Sequence, residues 1–221
     1  MTTHNFFITG TDTNVGKTHV SVGLLKLFRQ ANYSTLGSKP IACGLENNAQ
    51  IHADVLALQQ HASTQLPIHL INAFTFKSAI SPHLAAREEN IFLSVDSILE
   101  KLNVVLQHPA QIKIIEGAGG WHVPLNDRET ISDLARAINW PIILVVGMRL
   151  GCLNHAILTA QAIQAAKLTL KGWIANCIDA RMPAQLENIS TLKRWVNAPC
   201  LGIIPHQAYP EEQLKIDQFI L

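Results

Sequence analysis

Gly10-Thr11-Asp12-Thr13-Asn14-Val15-Gly16-Lys17-Thr18 follows the apolar run Phe6-Phe7-Ile8 and opens a helical pattern. A strand, a glycine-containing loop and a helix in this order are typical of a loop that binds the phosphates of a nucleoside triphosphate. The glycines let consecutive backbone N–H groups turn towards phosphate oxygens, and the helix start adds partial positive charge. We therefore expect Lys17, exposed in this loop, to reach the terminal phosphates and the Thr18 hydroxyl to bind Mg²⁺.

This segment, residues 10–18, is called the phosphate loop below, and it is longer than the usual pattern. Five residues separate Gly10 from Gly16, whereas the usual pattern has four. An ordinary glycine turn with a surface lysine could have the same local sequence. The apolar run before the loop and the helical pattern after it favour phosphate binding.

Composition predicts one soluble domain with a small-molecule partner. The 221 residues carry no Pro/Gly/Ser-rich linker, so we expect a single nucleotide-binding domain over residues 1–221. Charged residues make up 15% and apolar residues 48%, which favours surface buried between subunits and therefore an oligomer. The formal net charge is +1 and no basic run exceeds two residues, so neither a nucleic acid nor a polybasic membrane contact is expected.

The cysteines and histidines give no metal-binding or disulfide pattern. The four cysteines are widely spaced and form no C-x-x-C pair, and the ten histidines show no H-x-x-x-H or H-E-x-x-H spacing. We expect reduced thiols in a cytoplasmic protein, and histidines that are mostly structural or at the surface. The first strand begins within five residues of Met1, so no signal peptide is expected.

Apolar runs alternate with helical patterns along the chain. Strands are predicted at residues 5–9, 35–39, 112–116, 141–147, 170–176 and 200–205, and helices at 16–31, 52–61, 94–108, 131–138, 154–167 and 184–196. This alternation predicts a three-layer α/β/α fold of the P-loop NTPase type, with a mostly parallel central sheet. Residues 44–53 and 64–82 are predicted to be loops or short elements.

Ligands collect at the carboxyl ends of the strands in such sheets. Glu116 ends one predicted strand and precedes Gly117-Ala118-Gly119-Gly120-Trp121, so it is a candidate Mg²⁺ ligand. Asp54 is a second candidate, although an acid near a helix start also fits a favourable charge for the helix dipole. Lys39 could stabilise phosphoryl oxygens or be a solvated lysine, and Asn176 has the donors and the acceptor to contact a purine.

The chain resembles the dethiobiotin synthetase family over residues 10 to about 205. Six segments carry the resemblance in order: the phosphate loop, Lys39-Pro40, Ser81-Pro82-His83, Glu116-Gly117-Ala118-Gly119-Gly120-Trp121, Gly151-Cys152-Leu153-Asn154-His155 and Gly172-Trp173-Ile174-Ala175-Asn176. The lengthened phosphate loop is itself a feature of this family.

The resemblance implies an ATP-dependent ligase of biotin biosynthesis. In that reaction 7,8-diaminononanoate takes up CO₂ as a carbamate, ATP phosphorylates the carbamate, and the second amine closes the ring with release of phosphate. The resemblance also implies a homodimer in the cytoplasm, with the substrate site at the subunit interface. Catalytic residues would be Lys17 and Lys39.

The binding residues implied by the resemblance fall into three overlapping sets. Mg²⁺ would be held by Thr18, Asp54 and Glu116. ATP would be bound by Thr13, Asn14, Val15, Gly16, Lys17, Thr18, Asp54, Glu116, Gly119, Asn176, Ile204, Pro205 and His206. The diamine would be bound by Thr13, Cys43, Gly119, Cys152, Leu153 and Asn154, the last three from the neighbouring subunit.

Two departures and three rival classes accompany this interpretation. Cys43 stands where a serine is usual, and Asn14 replaces a frequent acidic residue. Partitioning ATPases of the same broad fold carry an additional lysine early in the phosphate loop, where this chain has Asp12. A GTPase is disfavoured because no Asn-Lys-x-Asp motif occurs, and a metabolite kinase would not share the segments around Glu116 and Cys152.

Overall fold

The computed structural model describes residues 3–45 and 49–220. Its strands are β1 (His4–Gly10), β2 (Thr35–Ser38), β3 (Ile41–Cys43), β4 (Phe74–Phe76), β5 (Ile112–Glu116), β6 (Ile142–Gly147), β7 (Leu170–Asn176) and β8 (Cys200–Ile204). Its helices are α1 (Lys17–Gln30), α2 (Ala53–His61), α3 (Ile68–Ile71), α4 (Pro82–Glu88), α5 (Val95–Gln107), α6 (Ile131–Ile138), α7 (Cys152–Ala165), α8 (Gln185–Trp195), α9 (Pro210–Gln213) and α10 (Asp217–Ile220).

The central sheet has six strands in the order β2-β5-β1-β6-β7-β8, and each neighbouring pair is parallel. All six strands predicted from the apolar runs lie in this sheet, so the predicted fold class is confirmed. The runs are continuous because both faces of the sheet are buried. Among the described residues, no helix is both long and apolar enough to cross a membrane.

Helices cover both faces of the sheet. Successive residues of β1 point to opposite sides: Phe7 packs in a cluster with α5 and α6, whereas Phe6 and Ile8 pack in a cluster with α1. A third cluster joins β6 and β7 to α7 and α8, with Trp173 fully buried. These layers bury the apolar faces and leave the carboxyl ends of the strands open.

A second, two-stranded parallel sheet pairs β3 with β4. The sequence patterns do not predict it, because strands of three residues are too short to show a period. The buried side-chain amide of Asn72 donates to the carbonyl oxygens of Lys39 (2.7 Å) and Phe74 (3.1 Å). Asn72 therefore links the small sheet to the end of β2. The small sheet thereby stands beside the end of β2, next to the main sheet.

Helix α7 begins at Cys152, two residues before the predicted start. Its N-cap is Gly151, whose φ of 92° lies in the left-handed region that glycine tolerates, and no side chain caps the helix. Asn154 therefore lies in the first turn of α7 and does not cap the helix. Its exposed side chain is free of any capping role.

Candidate active site

The carboxyl ends of the sheet strands open into a cleft of about 910 Å³. It is bordered by the phosphate loop, the ends of β2 and β5, the start of α2, and the small sheet. Ten of the residues predicted from the sequence line it: Thr13, Asn14, Gly16, Lys17, Thr18, Lys39, Cys43, Asp54, Glu116 and Gly119. The parallel sheet brings these distant residues together because its strands all end at the same edge.

The phosphate loop is held from the end of β7. The side-chain amide of Asn176 donates to the carbonyl oxygen of Val15 at 2.9 Å, and a Cβ on Gly16 would lie 2.1 Å from that same amide nitrogen. Gly16 also has φ +87°, a conformation that L side chains rarely adopt. Glycine is thus required at position 16 for two independent reasons.

Lys17 is buried, so the expectation of an exposed side chain is wrong. It is the first residue of α1, it is 7% exposed, and its Nζ donates to the carbonyl oxygen of Asp12 at 2.9 Å. Burial lowers the pKa of Lys17 to about 8, although the nearby Glu116 carboxylate acts in the opposite direction. A partly desolvated ammonium in a phosphate loop is suited to binding anionic oxygens.

Asp12 connects the phosphate loop to the segment before α7. Its carboxylate forms an ion pair with Arg149 and accepts from the backbone N–H of Thr13 at 2.7 Å. Partitioning ATPases have a lysine at the position of Asp12, and an acid in an ion pair cannot take the place of that cation. The arrangement agrees with the sequence argument against that class.

Lys39 lies between two carboxylates. Its Nζ is 2.8 Å from Oε1 of Glu116 and also forms an ion pair with Asp54. Lys39 is 7% exposed, so the alternative of a solvated lysine is wrong. Burial opposes the charge of Lys39, but Glu116 and Asp54 together raise its pKa above the ordinary value. Burial likewise opposes ionisation of Asp54, yet Lys39 holds the pKa of that carboxyl below its usual range.

The donor set at the end of β5 fits Mg²⁺. Oε2 of Glu116 is buried and has no hydrogen-bond partner, while Oε1 accepts from the Thr18 hydroxyl at 2.7 Å. A buried carboxylate oxygen without a partner is unfavourable unless a cation or water completes it, and hard cations prefer oxygen. The described residues contain no group of three His, Cys, Asp or Glu side chains placed to hold a metal. An ion here would therefore need Thr18 and the nucleotide's own oxygens as well.

One part of the cleft wall is apolar. Cys43 stands there with Ala79, Ile80 and Val123. Burial raises the pKa of the Cys43 thiol to about 11, so the group is a neutral thiol at physiological pH. This wall suits the hydrocarbon part of a ligand.

Several predicted ligand residues lie outside this cleft. Asn176 and Ile204 end β7 and β8, and Pro205 and His206 are exposed in the loop that follows. Nδ1 of His206 is 3.2 Å from the carbonyl oxygen of Cys177, so the loop is fixed beside Asn176 and the phosphate loop. Three further predicted residues, Cys152, Leu153 and Asn154, do not line the cleft of their own chain.

Sequence reasoning missed two residues next to the site, Arg149 and His52. Nothing in the sequence pointed to Arg149, because its ion-pair partner Asp12 is far away along the chain. His52 had one: it is the first residue of the predicted helix that carries Asp54, and since α2 begins at Ala53 it occupies the N-cap position. It lines the cleft and is therefore neither a remote structural histidine nor a surface one.

Comparisons with known proteins agree with this architecture. A family model described as "AAA domain" matches residues 4–213. The septum site-determining protein MinD complexed with Mg-ADP from Pyrococcus horikoshii superposes with a TM-score of 0.56 at 15% identity, covering 94% of this chain and 82% of that one. A ParA family ATPase from Chlorobium tepidum gives 0.55 at 11% identity, covering 93% and 85%. At such low identity these two structures show the fold alone.

Curated relatives are much more similar in sequence. ATP-dependent dethiobiotin synthetase from Pseudomonas aeruginosa strain UCBPP-PA14 is 48% identical over 202 residues, which is 90% of this chain and 89% of the relative. The enzymes of the same name from Cellvibrio japonicus (46%, covering 90% and 88%) and Yersinia pestis (44%, covering 95% and 88%) are also similar.

The parallel sheet and the glycine loop at its carboxyl edge define a P-loop nucleotide-binding protein. Sequence identity at this level over nine-tenths of the chain identifies a family more narrowly than similarity of fold does. The chain belongs to the dethiobiotin synthetase family.

Proposed function

We propose that this protein catalyses the ATP-dependent closure of 7,8-diaminononanoate and CO₂ to dethiobiotin, ADP and phosphate. Family membership supports the overall reaction. The observation that carries the proposal is the meeting of Lys17 and Lys39 with Thr18, Asp54 and Glu116 in one cleft, because phosphoryl transfer needs cations on both sides of the transferred group.

The proposed chemistry has three steps. One amine of the diamine adds to CO₂ and loses a proton, giving a carbamate. A carbamate oxygen then attacks the γ-phosphorus of ATP, and ADP leaves. Finally the second amine attacks the carbamate carbon of this mixed anhydride, phosphate leaves, and the five-membered ureido ring closes.

Each lysine has a distinct part in this proposal. Lys17 would hold the β- and γ-phosphate oxygens, since it projects from the start of α1 into the phosphate loop. Lys39 would face the carbamate and the transferred phosphoryl group from the end of β2, where its charge is maintained by Glu116. Both charges are held in a partly buried site, where they stabilise developing negative charge more strongly than in water.

Mg²⁺ is the proposed metal, held by Thr18, Asp54 and Glu116 together with phosphate oxygens. Bound there, it would supply charge neutralisation at the phosphates. Adenine is proposed to lie against Asn176 and the loop of Ile204, Pro205 and His206, beside the phosphate loop. The diamine's hydrocarbon would contact the wall that contains Cys43, with Thr13 and Gly119 near its reacting end.

A homodimer is part of the proposal. Leu150, just before α7, is 91% exposed and Leu158 on α7 is 56% exposed, and this exposed apolar surface would be buried by the partner in the proposed dimer. We propose that the diamine's distant carboxylate meets the α7 start of the partner, with Cys152, Leu153 and Asn154. A helix start with free N–H groups suits a carboxylate.

The whole chain is proposed to act as one nucleotide-binding domain, because the three hydrophobic clusters all use the same central sheet. A cytoplasmic location stays a prediction.

The proposed reaction is tested by phosphate release from Mg-ATP and bicarbonate, with and without 7,8-diaminononanoate. We expect release to depend on the diamine and to match dethiobiotin formed, one to one, by mass spectrometry. Equal phosphate release without the diamine, with no dethiobiotin formed, would identify a nucleotide hydrolase instead.

A further inference from the structure

His52 connects two parts of the cleft that are distant along the chain. It is the N-cap residue of α2, with ψ 134°, and its side chain is 15% exposed. Its Nδ1 lies 3.2 Å from the backbone nitrogen of Asp54, and its Nε2 lies 3.2 Å from the carbonyl oxygen of Cys43. One imidazole thus ties the end of β3 to the first turn of α2.

The two hydrogen-bond partners favour one tautomer of the ring, in which Nδ1 lies 3.8 Å from Oδ2 of Asp54. A backbone N–H can donate but not accept, so Nδ1 must present its lone pair to Asp54. A carbonyl oxygen can accept but not donate, so Nε2 must carry the hydrogen that points to Cys43. Both contacts are satisfied together by the neutral Nε2–H tautomer.

We propose that His52 is a positioning residue that directs the Asp54 carboxylate towards the metal and Lys39, an inference that rests on the proposed function. Asp54 is the second residue of α2, and the rotation of the first turn sets where its side chain points. The nitrogen on which His52 acts belongs to Asp54 itself. The bond to Cys43 anchors that turn to the small sheet, whereas an ordinary N-cap side chain would be anchored to its own helix alone.

The contribution of His52 should appear in how Mg²⁺ changes nucleotide affinity. Calorimetry of ADP binding with and without Mg²⁺ gives the ratio of the two affinities, which is independent of turnover. In His52→Ala we expect this ratio to fall roughly five-fold, the effect of losing about one capping interaction, while ADP affinity without Mg²⁺ stays unchanged. His52→Asn should recover most of the ratio, because asparagine is also a good N-cap acceptor.

Ser94→Ala is the matched control for lost helix capping. Ser94 accepts from the backbone N–H of Ser97 at 3.1 Å at the start of α5, and neither residue lines the cleft. This variant should lose comparable thermal stability and keep the Mg²⁺ ratio. If the ratio of ADP affinities with and without Mg²⁺ falls equally in Ser94→Ala and His52→Ala, His52 contributes only to the general stability of the fold. That result would overturn the proposal.

Asp54→Asn separates failure of this inference from failure of the proposed site. If Asp54→Asn loses the Mg²⁺ ratio and His52→Ala keeps it, Asp54 acts on the metal but His52 does not position it. If Asp54→Asn leaves the ratio unchanged, Asp54 does not act on the metal, and the inference about His52 is wrong as well. Nitrogen-15 NMR of the ring in the unaltered protein gives an independent readout: the Nε2–H tautomer supports the proposal, and the Nδ1–H tautomer contradicts it.

Discussion

Nζ of Lys39 lies 2.8 Å from Oε1 of Glu116, so the cleft holds a cation against its most deeply buried acid before any ligand arrives. The same ammonium also pairs with Asp54. Two carboxylates brought together without a cation would repel one another and raise their own pKa values. Lys39 therefore keeps the Asp54 carboxyl in the ionised form that a metal needs.

Replacing Lys39 by methionine should reduce turnover at saturating substrates by roughly 10²–10³-fold, because a preorganised charge on the transferred group is removed. Affinity for ATP measured without Mg²⁺ should hold, since charge on the carbamate develops only once reaction begins. Calorimetry and steady-state kinetics check both parts. Weakened ATP binding with intact turnover would contradict the assignment.

The pKa of Lys17 leads to a prediction for pH dependence. Because burial lowers it to about 8 in the free protein, the ammonium loses its proton as the pH rises through 8. The anionic phosphates bind the charged form of Lys17, so kcat/KM for ATP should decline above pH 8. Below about pH 7 the titration of Lys17 should leave kcat/KM unchanged. Lys17→Met should show no such decline and should lose roughly 10²–10³-fold in turnover.

Gly16→Ala should abolish tight ATP binding. The added Cβ would lie 2.1 Å from the Asn176 amide nitrogen, at a residue with φ +87°, so the loop must move. Gly151→Ala is the control: its φ is +92° but nothing lies within 4 Å of the added carbon. It should cost about 1–2 kcal/mol of unfolding free energy and leave ATP affinity intact. Calorimetry that finds equal ATP affinity in both variants would show that the contact with Asn176 is unimportant.

Leu158→Asp tests the proposed dimer. Leu158 is 56% exposed in one chain, so the variant should fold, but a charge in an apolar interface should favour the monomer. Light scattering should show the loss of the dimer, and diamine affinity should fall while ATP affinity holds. A fully active monomer at assay concentration would defeat the shared-site model.

Asn154→Ala should raise the KM for the diamine by an amount equivalent to about 1–2 kcal/mol, typical of one or two lost hydrogen bonds. Main-chain donors at the α7 start survive the truncation, so the loss should be moderate. An unchanged KM in a dimeric variant would remove Asn154 from the substrate site.

The sequence predicts the central sheet well because each of its strands is an apolar run bounded by turn residues. The same reasoning finds Glu116 and the phosphate loop, since strand ends and glycine patterns are local. Burial of Lys17 is not local: it depends on how the phosphate loop folds back over α1, so the sequence suggested exposure. The ion pair of Asp12 with Arg149 joins residues that only the sheet order brings together.

The helical pattern in the sequence also does not predict where α7 begins. Gly151 acts there through its backbone conformation, whereas the helical pattern in the sequence becomes visible only from residue 154. His52 was passed over because its contact with Cys43 depends on β3, a strand too short to be recognised. The missed parts of the site thus belong to short elements and to pairs of distant residues.

The small sheet of β3 and β4 has far fewer strand pairings than the central sheet. The phosphate loop is attached to a sheet of six paired strands, whereas Cys43 ends a strand that has one pairing of three residues and is joined to the end of β2 by Asn72. Segments with few paired strands open locally at lower free energy than a central sheet does. Hydrogen exchange at β3 and β4 is therefore expected to be faster than at β1 and β5, so local opening should reach the part of the cleft with Cys43 before it reaches the phosphate loop.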